Sequence, residues 1–180
     1  MKRLLWIGCL ILGSSGLYSG PAHALKYEEG SDAPTRTIED FIKDYVDIPQ
    51  GGLDWKMLGK TKVLDITTKD ADGMDLFYQK PVFPESVKKL DQTQIKIKGY
   101  MFPLDPDEKQ GQFLFGPFPL NCPFQYHVSP ALVIEAHTVK NTPIKFSYDP
   151  LTIEGTLELV PEDKDLSTFY RLKDVKLIKD

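Results

Sequence analysis

Cysteine is nearly absent from this chain, with two in 180 residues, Cys9 and Cys122. Histidine is as scarce: His23, His127 and His137 are all there is. Positive charge is in the minority, with 22 Lys and Arg against 26 Asp and Glu and a net charge of −4. Each shortage excludes something. Nucleic-acid binding leaves a basic patch on a basic domain, and none is present. An anionic membrane surface is disfavoured for the same reason. No apolar run approaches the ~20 residues that cross a bilayer as a helix. No internal repeat occurs, and the only biased tract is a polar lead-in at residues 26 to 36.

The longest apolar run, Leu4 to Leu12, follows Lys2 and Arg3 and breaks at Gly13-Ser14-Ser15. Small and polar residues follow, and Ala22-His23-Ala24 gives the small-x-small pattern of a signal peptidase site. The expected arrangement is a signal peptide over residues 1–24, a polar arm over 25–36 and one globular domain over 37–180. A lipoprotein signal ending at Cys9 is the rival, but too little apolar chain precedes that cysteine. Export to the periplasm, with cleavage after Ala24, is the expectation. Cleavage removes Cys9 and leaves Cys122 alone, so no internal disulfide can form. A single thiol in an oxidising compartment is free, metal-bound or paired with another molecule.

Within the domain, "TIEDFIKDYV" places Ile38, Phe41, Ile42 and Tyr45 on one helical face, with Thr37 as N-cap. "LDWKML" alternates Leu53, Trp55 and Met57 and reads as a strand; "KVLDI" reads as another. Residues 67 to 82 give no clear period. The acidic "TTKDADGMD" lacks the closing glutamate of an EF-hand loop and reads as a solvated turn. "FPESVKKLD" reads as a short helical turn.

From residue 93 the alternation strengthens. "TQIKIKGYMF" sets Ile95, Ile97 and Gly99 opposite Lys96 and Lys98. "QFLFGPF" is apolar on both faces, "ALVIEAH" is rich in strand formers, and "PIKFSY" alternates. "LTIEGTLELV" alternates cleanly, whereas "YRLKDVKLI" changes phase at Lys173-Asp174, which predicts a bulge. Gly99 and Gly155 lie inside strands, where glycine marks a hard bend or close backbone approach. The expected fold is mainly β: a small OB-like five-stranded barrel over about 93–178 with an N-terminal α/β extension containing a short helix. An open α+β sheet is the alternative.

The order "LDWKMLG", "LDQTQIKIKGYMFPLD", "FLFGPFPLNCPFQYHVSP", "IKFSYDPLTIEGTLEL" and "YRLKDVKL" resembles an exported bacterial family, domain of unknown function 3299 (DUF3299). The resemblance covers roughly residues 53 to 178 and implies no particular activity. It leans toward envelope transport or metal handling, with an ABC-transport component as the implied partner. Relatives carry a Cys-x-His pair, which in this chain is spread to Cys122 and His127.

The chemistry-bearing stretch is "GPFPLNCPFQYHVSP", stiffened by Pro117, Pro119, Pro123 and Pro130. Thiolate and imidazole suit Zn(II) or Cu(I), so Cys122, His127 and His137 are the candidate metal ligands, with Glu135 and Met101 as additions. Against that, free cysteine is commonly a small buried hydrophobe. Nucleophilic catalysis would need a histidine base and an orienting Asp or Asn beside Cys122, and sequence adjacency of Asn121 does not supply it. The neighbouring aromatics form either core or a docking patch; Tyr100, Phe118, Phe124 and Tyr126 are the candidate ligand or partner surface. Three functions compete. The favoured one is a non-catalytic periplasmic binding or adaptor module that engages a transport component or small apolar ligand. A Zn or Cu carrier comes next, then a thiol-dependent enzyme.

Overall fold

The computed structural model describes residues 37–123, 128–140 and 142–178. All of these fall within one compact unit, Thr35–Asp180. The expected leader, the arm and the segment Phe124–His127 lie outside the described residues.

The unit begins with α1 (Ile38–Phe41), which continues as a 3-10 turn through Ile42–Asp44. The Asp40 carboxylate accepts the Thr37 N–H at 3.0 Å and its hydroxyl at 3.0 Å, closing the first turn. Ile42 is buried, with Ile38, Phe41 and Tyr45 packed beside it, as the helical spacing predicts.

"LDWKML" is not a strand. Asp54 accepts the Lys56 N–H at 2.9 Å and caps α2 (Trp55–Leu58). Trp55 and Leu58, three apart, share the buried face. The apparent alternation of Leu53, Trp55 and Met57 misleads because the capping aspartate between them acts first.

β1 (Lys62–Lys69) and β2 (Asp75–Val82) form an antiparallel hairpin. The expected solvated turn is its tip, where Asp70 Oδ1 accepts the N–H groups of Asp72 (2.9 Å) and Met74 (2.8 Å). β2 gives no clean period because both faces of the ribbon are partly exposed and Pro81 sits inside the strand. α3 (Glu85–Lys88) is the short helical turn read from the sequence.

Five strands then close into a barrel: β3 (Gln94–Pro103), β5 (Gln112–Gly116), β6 (Ile134–Thr138), β8 (Leu151–Leu159) and β9 (Tyr170–Ile178). The order around it is β3-β5-β6-β9-β8. Counted along the chain the barrel strands run 1-2-3-5-4, and the third and fifth pair in parallel. That is the OB-like closure expected from the sequence. β4 (Lys109–Gln110) and β7 (Ile144–Lys145) make a separate small ladder, so "PIKFSY" contributes two paired residues and no barrel strand.

The interior is filled by Ile97, Met101, Phe113, Phe115, Ile134, Ile153, Leu157 and Leu172, all fully buried. Both strand glycines stand where backbones touch. A Cβ on Gly155 would lie 2.5 Å from the Lys173 carbonyl oxygen. One on Gly99 would lie 2.6 Å from the Gly116 carbonyl oxygen and 3.1 Å from the Trp55 ring. The vacated volume lets Trp55 settle onto Phe115, with its indole N–H donating to the Lys98 carbonyl at 2.7 Å. The predicted phase change is a bulge. The β8–β9 register slips between Glu154 and Thr156, opposite an Asp174 held in the left-handed region at φ 54°. Asp174 and Lys173 turn outward, and Val175 regains the core.

Candidate functional site

Cross-strand register defines the outer face of the barrel. Phe102 pairs with Leu114, Leu114 with Glu135, Glu135 with Arg171, and Arg171 with Glu158. One row thus crosses all five strands, apolar at one end and ionic at the other. On a solvated sheet face the outward positions are ordinarily polar. Here Phe102, Leu114 and Val133 are apolar and only half-buried.

These residues floor a groove. A cavity of about 230 Å³ is lined by Phe102, Leu114, Phe118, Val128, Leu132 and Val133. A second, of about 270 Å³, shares Leu114, Val128 and Val133 with it and extends to Leu104 and Leu166. Leu104 and Leu166 are 48% and 67% exposed, so both stand open to solvent at the rim.

Two loops carry that rim, and each is braced by one polar side chain. Gln110 is fully buried beneath the β3–β4 connection. Its Oε1 accepts the N–H groups of Leu104 and Asp105 at 3.2 Å each, and its Nε2 donates to the carbonyls of Asp105 (3.0 Å) and Asp107. In the β8–β9 connection, Asp163 accepts the N–H groups of Asp165 (3.0 Å), Leu166 (3.1 Å) and Thr168 (3.3 Å). Burial works against the Asp163 charge, but these donors prevail and hold its pKa below the usual carboxylate range. The groove is therefore shaped before anything enters it.

At the ionic end, Glu135 is buried and fully engaged. Gln112 Nε2 (2.6 Å) and His137 Nε2 (2.9 Å) donate to one oxygen, and Arg171 Nε (3.1 Å) and Nη2 (3.0 Å) to the other. Glu158 faces Arg171 Nη1 at 3.6 Å and Lys173 Nζ at 2.9 Å.

The candidate ligands separate. Glu135 and His137 share a strand face and bond each other, as their spacing predicts. Met101 points into the barrel core. Cys122, 4% exposed, lies in the loop after β5, with its N–H donating to the Pro119 carbonyl at 2.9 Å. The neighbouring Cys122 side chain, together with burial, raises the Tyr45 pKa. His127 lies outside the described residues. Among the described residues no group of three or more His, Cys, Asp or Glu is placed to hold a metal ion.

Of the aromatic candidates, Phe118 is buried, with its ring edge-on to Tyr45 at 5.3 Å, and it reaches the groove from below. Tyr100 is half-buried and donates to the Tyr45 carbonyl at 3.1 Å. Burial first, then the charge of Asp149, raises its pKa. Phe124 and Tyr126 lie outside the described residues. The residues that sequence reasoning passed over are Leu104, Leu114, Val133 and Leu166. One signal pointed to Leu114: a strand apolar on both faces, "QFLFGPF", in an otherwise alternating sheet.

The model of the protein-of-unknown-function family DUF3299 matches residues 50–179. The chain belongs to the DUF3299 family. A crystal structure of a DUF3299 protein from Pseudomonas aeruginosa PAO1 is similar at 25% identity and a TM-score of 0.40, over 52% of this chain and 66% of that one. No curated protein matches the chain. The matched residues take in the barrel and the preceding hairpin together, and membership brings no activity with it. Among the described residues of this family member, no helix is long and apolar enough to cross a membrane.

Proposed function

We propose that this DUF3299 protein is an exported, periplasmic, non-catalytic binding module that holds an apolar portion of a partner in the groove across β3, β5 and β6. The observation that carries the reading is the joined pair of cavities on the outward face of those strands. Sheet faces and end loops of OB-like barrels are their usual binding surfaces. An envelope transport component is a partner of the kind the family resemblance implies. The buried Cys122 thiol weighs for a binding role over a Zn or Cu carrier or a thiol enzyme, both of which need it accessible.

The test uses the neutral apolar dye N-phenyl-1-naphthylamine. Its fluorescence should rise on adding the mature protein and should not rise with Leu114→Asp, provided the variant keeps the wild-type thermal transition. Equal enhancement by both folded proteins would rule the groove out.

A further inference from the structure

The charges around the groove specify its occupant further. The β3–β4 connection presents Asp105, Asp107 and Glu108, and the β8–β9 connection presents Glu162, Asp163 and Asp165. Some of these are spoken for. Glu108 pairs with Lys145 Nζ at 2.7 Å, Glu162 accepts the Tyr78 hydroxyl at 2.6 Å, and Asp163 holds its own loop. Asp105, Asp107 and Asp165 are exposed, and no cation pairs with them among the described residues. Of the bases nearby, Lys109 follows Glu108 and acts on its charge, Lys164 Nζ lies 6.0 Å from the Tyr78 ring centroid, and Arg171 is committed to Glu135 and Glu158, so acids still outnumber bases in both connections. Leu104 adjoins Asp105, and Leu166 adjoins Asp165, so each apolar rim residue has a free carboxylate beside it. The groove is apolar along its floor, and the two connections that carry its rim hold more acids than bases.

Its shape narrows the choice as well. Two adjoining cavities, of about 230 and 270 Å³, share one wall. A pair of side-chain-sized subsites in line suits successive anchors of an extended segment.

On the reading of the groove as a binding site, we infer that its occupant is a cationic peptide segment of a partner protein. Two large apolar side chains fill the cavities, and flanking Lys or Arg residues face Asp105, Asp107 and Asp165. Acidic banks repel phosphate backbones, anionic lipid headgroups and fatty carboxylates, and they steer a basic segment inward.

Two fluorescein-labelled decapeptides with the same Leu-Phe core, one flanked by lysines and one by glutamates, are titrated against the mature protein by fluorescence anisotropy. The lysine-flanked peptide should bind at least tenfold tighter. That preference should shrink to less than threefold in the Asp105→Asn/Asp107→Asn/Asp165→Asn variant, and in 0.5 M NaCl, where the Debye length falls to a few ångströms. Leu114→Asp should abolish both interactions. Equal binding of the two peptides, or preference for the glutamate-flanked one, overturns the cationic inference while the groove stands. Displacement of N-phenyl-1-naphthylamine by dodecanoate but by neither peptide overturns it in favour of a fatty acid. If neither the dye nor a peptide binds, the groove reading itself fails.

Discussion

Arg171 reaches from β9 to β6 and places two nitrogens, Nε at 3.1 Å and Nη2 at 3.0 Å, on one oxygen of the buried Glu135 carboxylate. The two residues face each other across the only parallel pairing of the barrel, between its third and fifth strands. Parallel pairing is slightly less stable per residue than antiparallel, so the seam gains from a side-chain tie.

Glu135→Ala should therefore cost about 2 kcal/mol in urea unfolding. It strands Gln112, His137 and Arg171 together, and the partial exposure of Arg171 softens the loss. Glu135→Gln, which keeps the shape and some acceptor capacity, should cost less. Because Glu135 is enclosed, the wild-type advantage should persist in 0.5 M NaCl. An Ala variant as stable as wild type would show that the tie contributes nothing.

Backbone contact at the bulge gives a sharper expectation. Gly155→Ala puts a methyl group 2.5 Å from the Lys173 carbonyl oxygen and 3.0 Å from Leu172, so β8 and β9 must separate there. A loss of about 3 kcal/mol is expected. Gly111→Ala is the control, since a Cβ there meets nothing within 4 Å. The two melting curves should differ by many degrees in this small domain. Equal curves would place the barrel closure elsewhere.

The barrel was legible because its strands obey one rule, inward apolar and outward polar. Where the rule broke, the break carried information. The phase change at Lys173-Asp174 is the Asp174 bulge, and the interrupting glycines are points of backbone contact. Trp55 was misread because its helix is a single turn, too short for a 3.6-residue period to outvote an accidental alternation. β4 escaped because a two-residue strand has no period at all, and β7 is only two residues of the longer alternation in "PIKFSY". The groove was the least legible feature. Leu104, Leu114, Val133 and Leu166 stand on four separate segments, and only the 1-2-3-5-4 strand order brings them to one face. Cys122 and its prolines are the more conspicuous stretch, yet the thiol is buried, because rarity in a sequence carries no information about exposure.

A buried phenol sets an alkaline limit on stability. Tyr170 donates to the Leu58 carbonyl at 2.8 Å and also bonds the Thr61 hydroxyl, and burial pushes its pKa up to about 12. The folded state thus holds this proton more tightly than the unfolded chain, whose tyrosines titrate near 10. Unfolding releases the proton in that window, so stability falls as pH rises from about 10 toward 12 and is fully present below 10. The loss should approach roughly 2–3 kcal/mol, at 1.36 kcal/mol for each pH unit of difference. Tyr170→Phe should be less stable at pH 8, having stranded the Thr61 hydroxyl and the Leu58 carbonyl, yet show a flatter decline above pH 10. Parallel pH profiles for the two proteins would assign the alkaline loss to other groups.

The fate of the lone thiol separates the proposed binding role from metal carriage. Cys122 is buried, and its side chain lies close enough to Tyr45 to raise the pKa of that phenol. Alkylation by iodoacetamide must then wait for local opening, so labelling of the native protein should be at least a hundredfold slower than in 6 M urea. Cys122→Ala should cost about 1 kcal/mol through lost packing and leave peptide binding in the groove within twofold of wild type. A metal carrier behaves oppositely: its thiol reacts readily, and purified reduced protein takes up about one equivalent of Zn(II) or Cu(I) that Cys122→Ala does not. Uptake of that kind, with fast labelling, would mean that the loop delivers Cys122 to a ligand set with His127, and the groove would lose its claim to be the working surface. Slow labelling with equal metal content in the two proteins would leave Cys122 as a core residue and the apolar face of β3, β5 and β6 as the place where this fold acts.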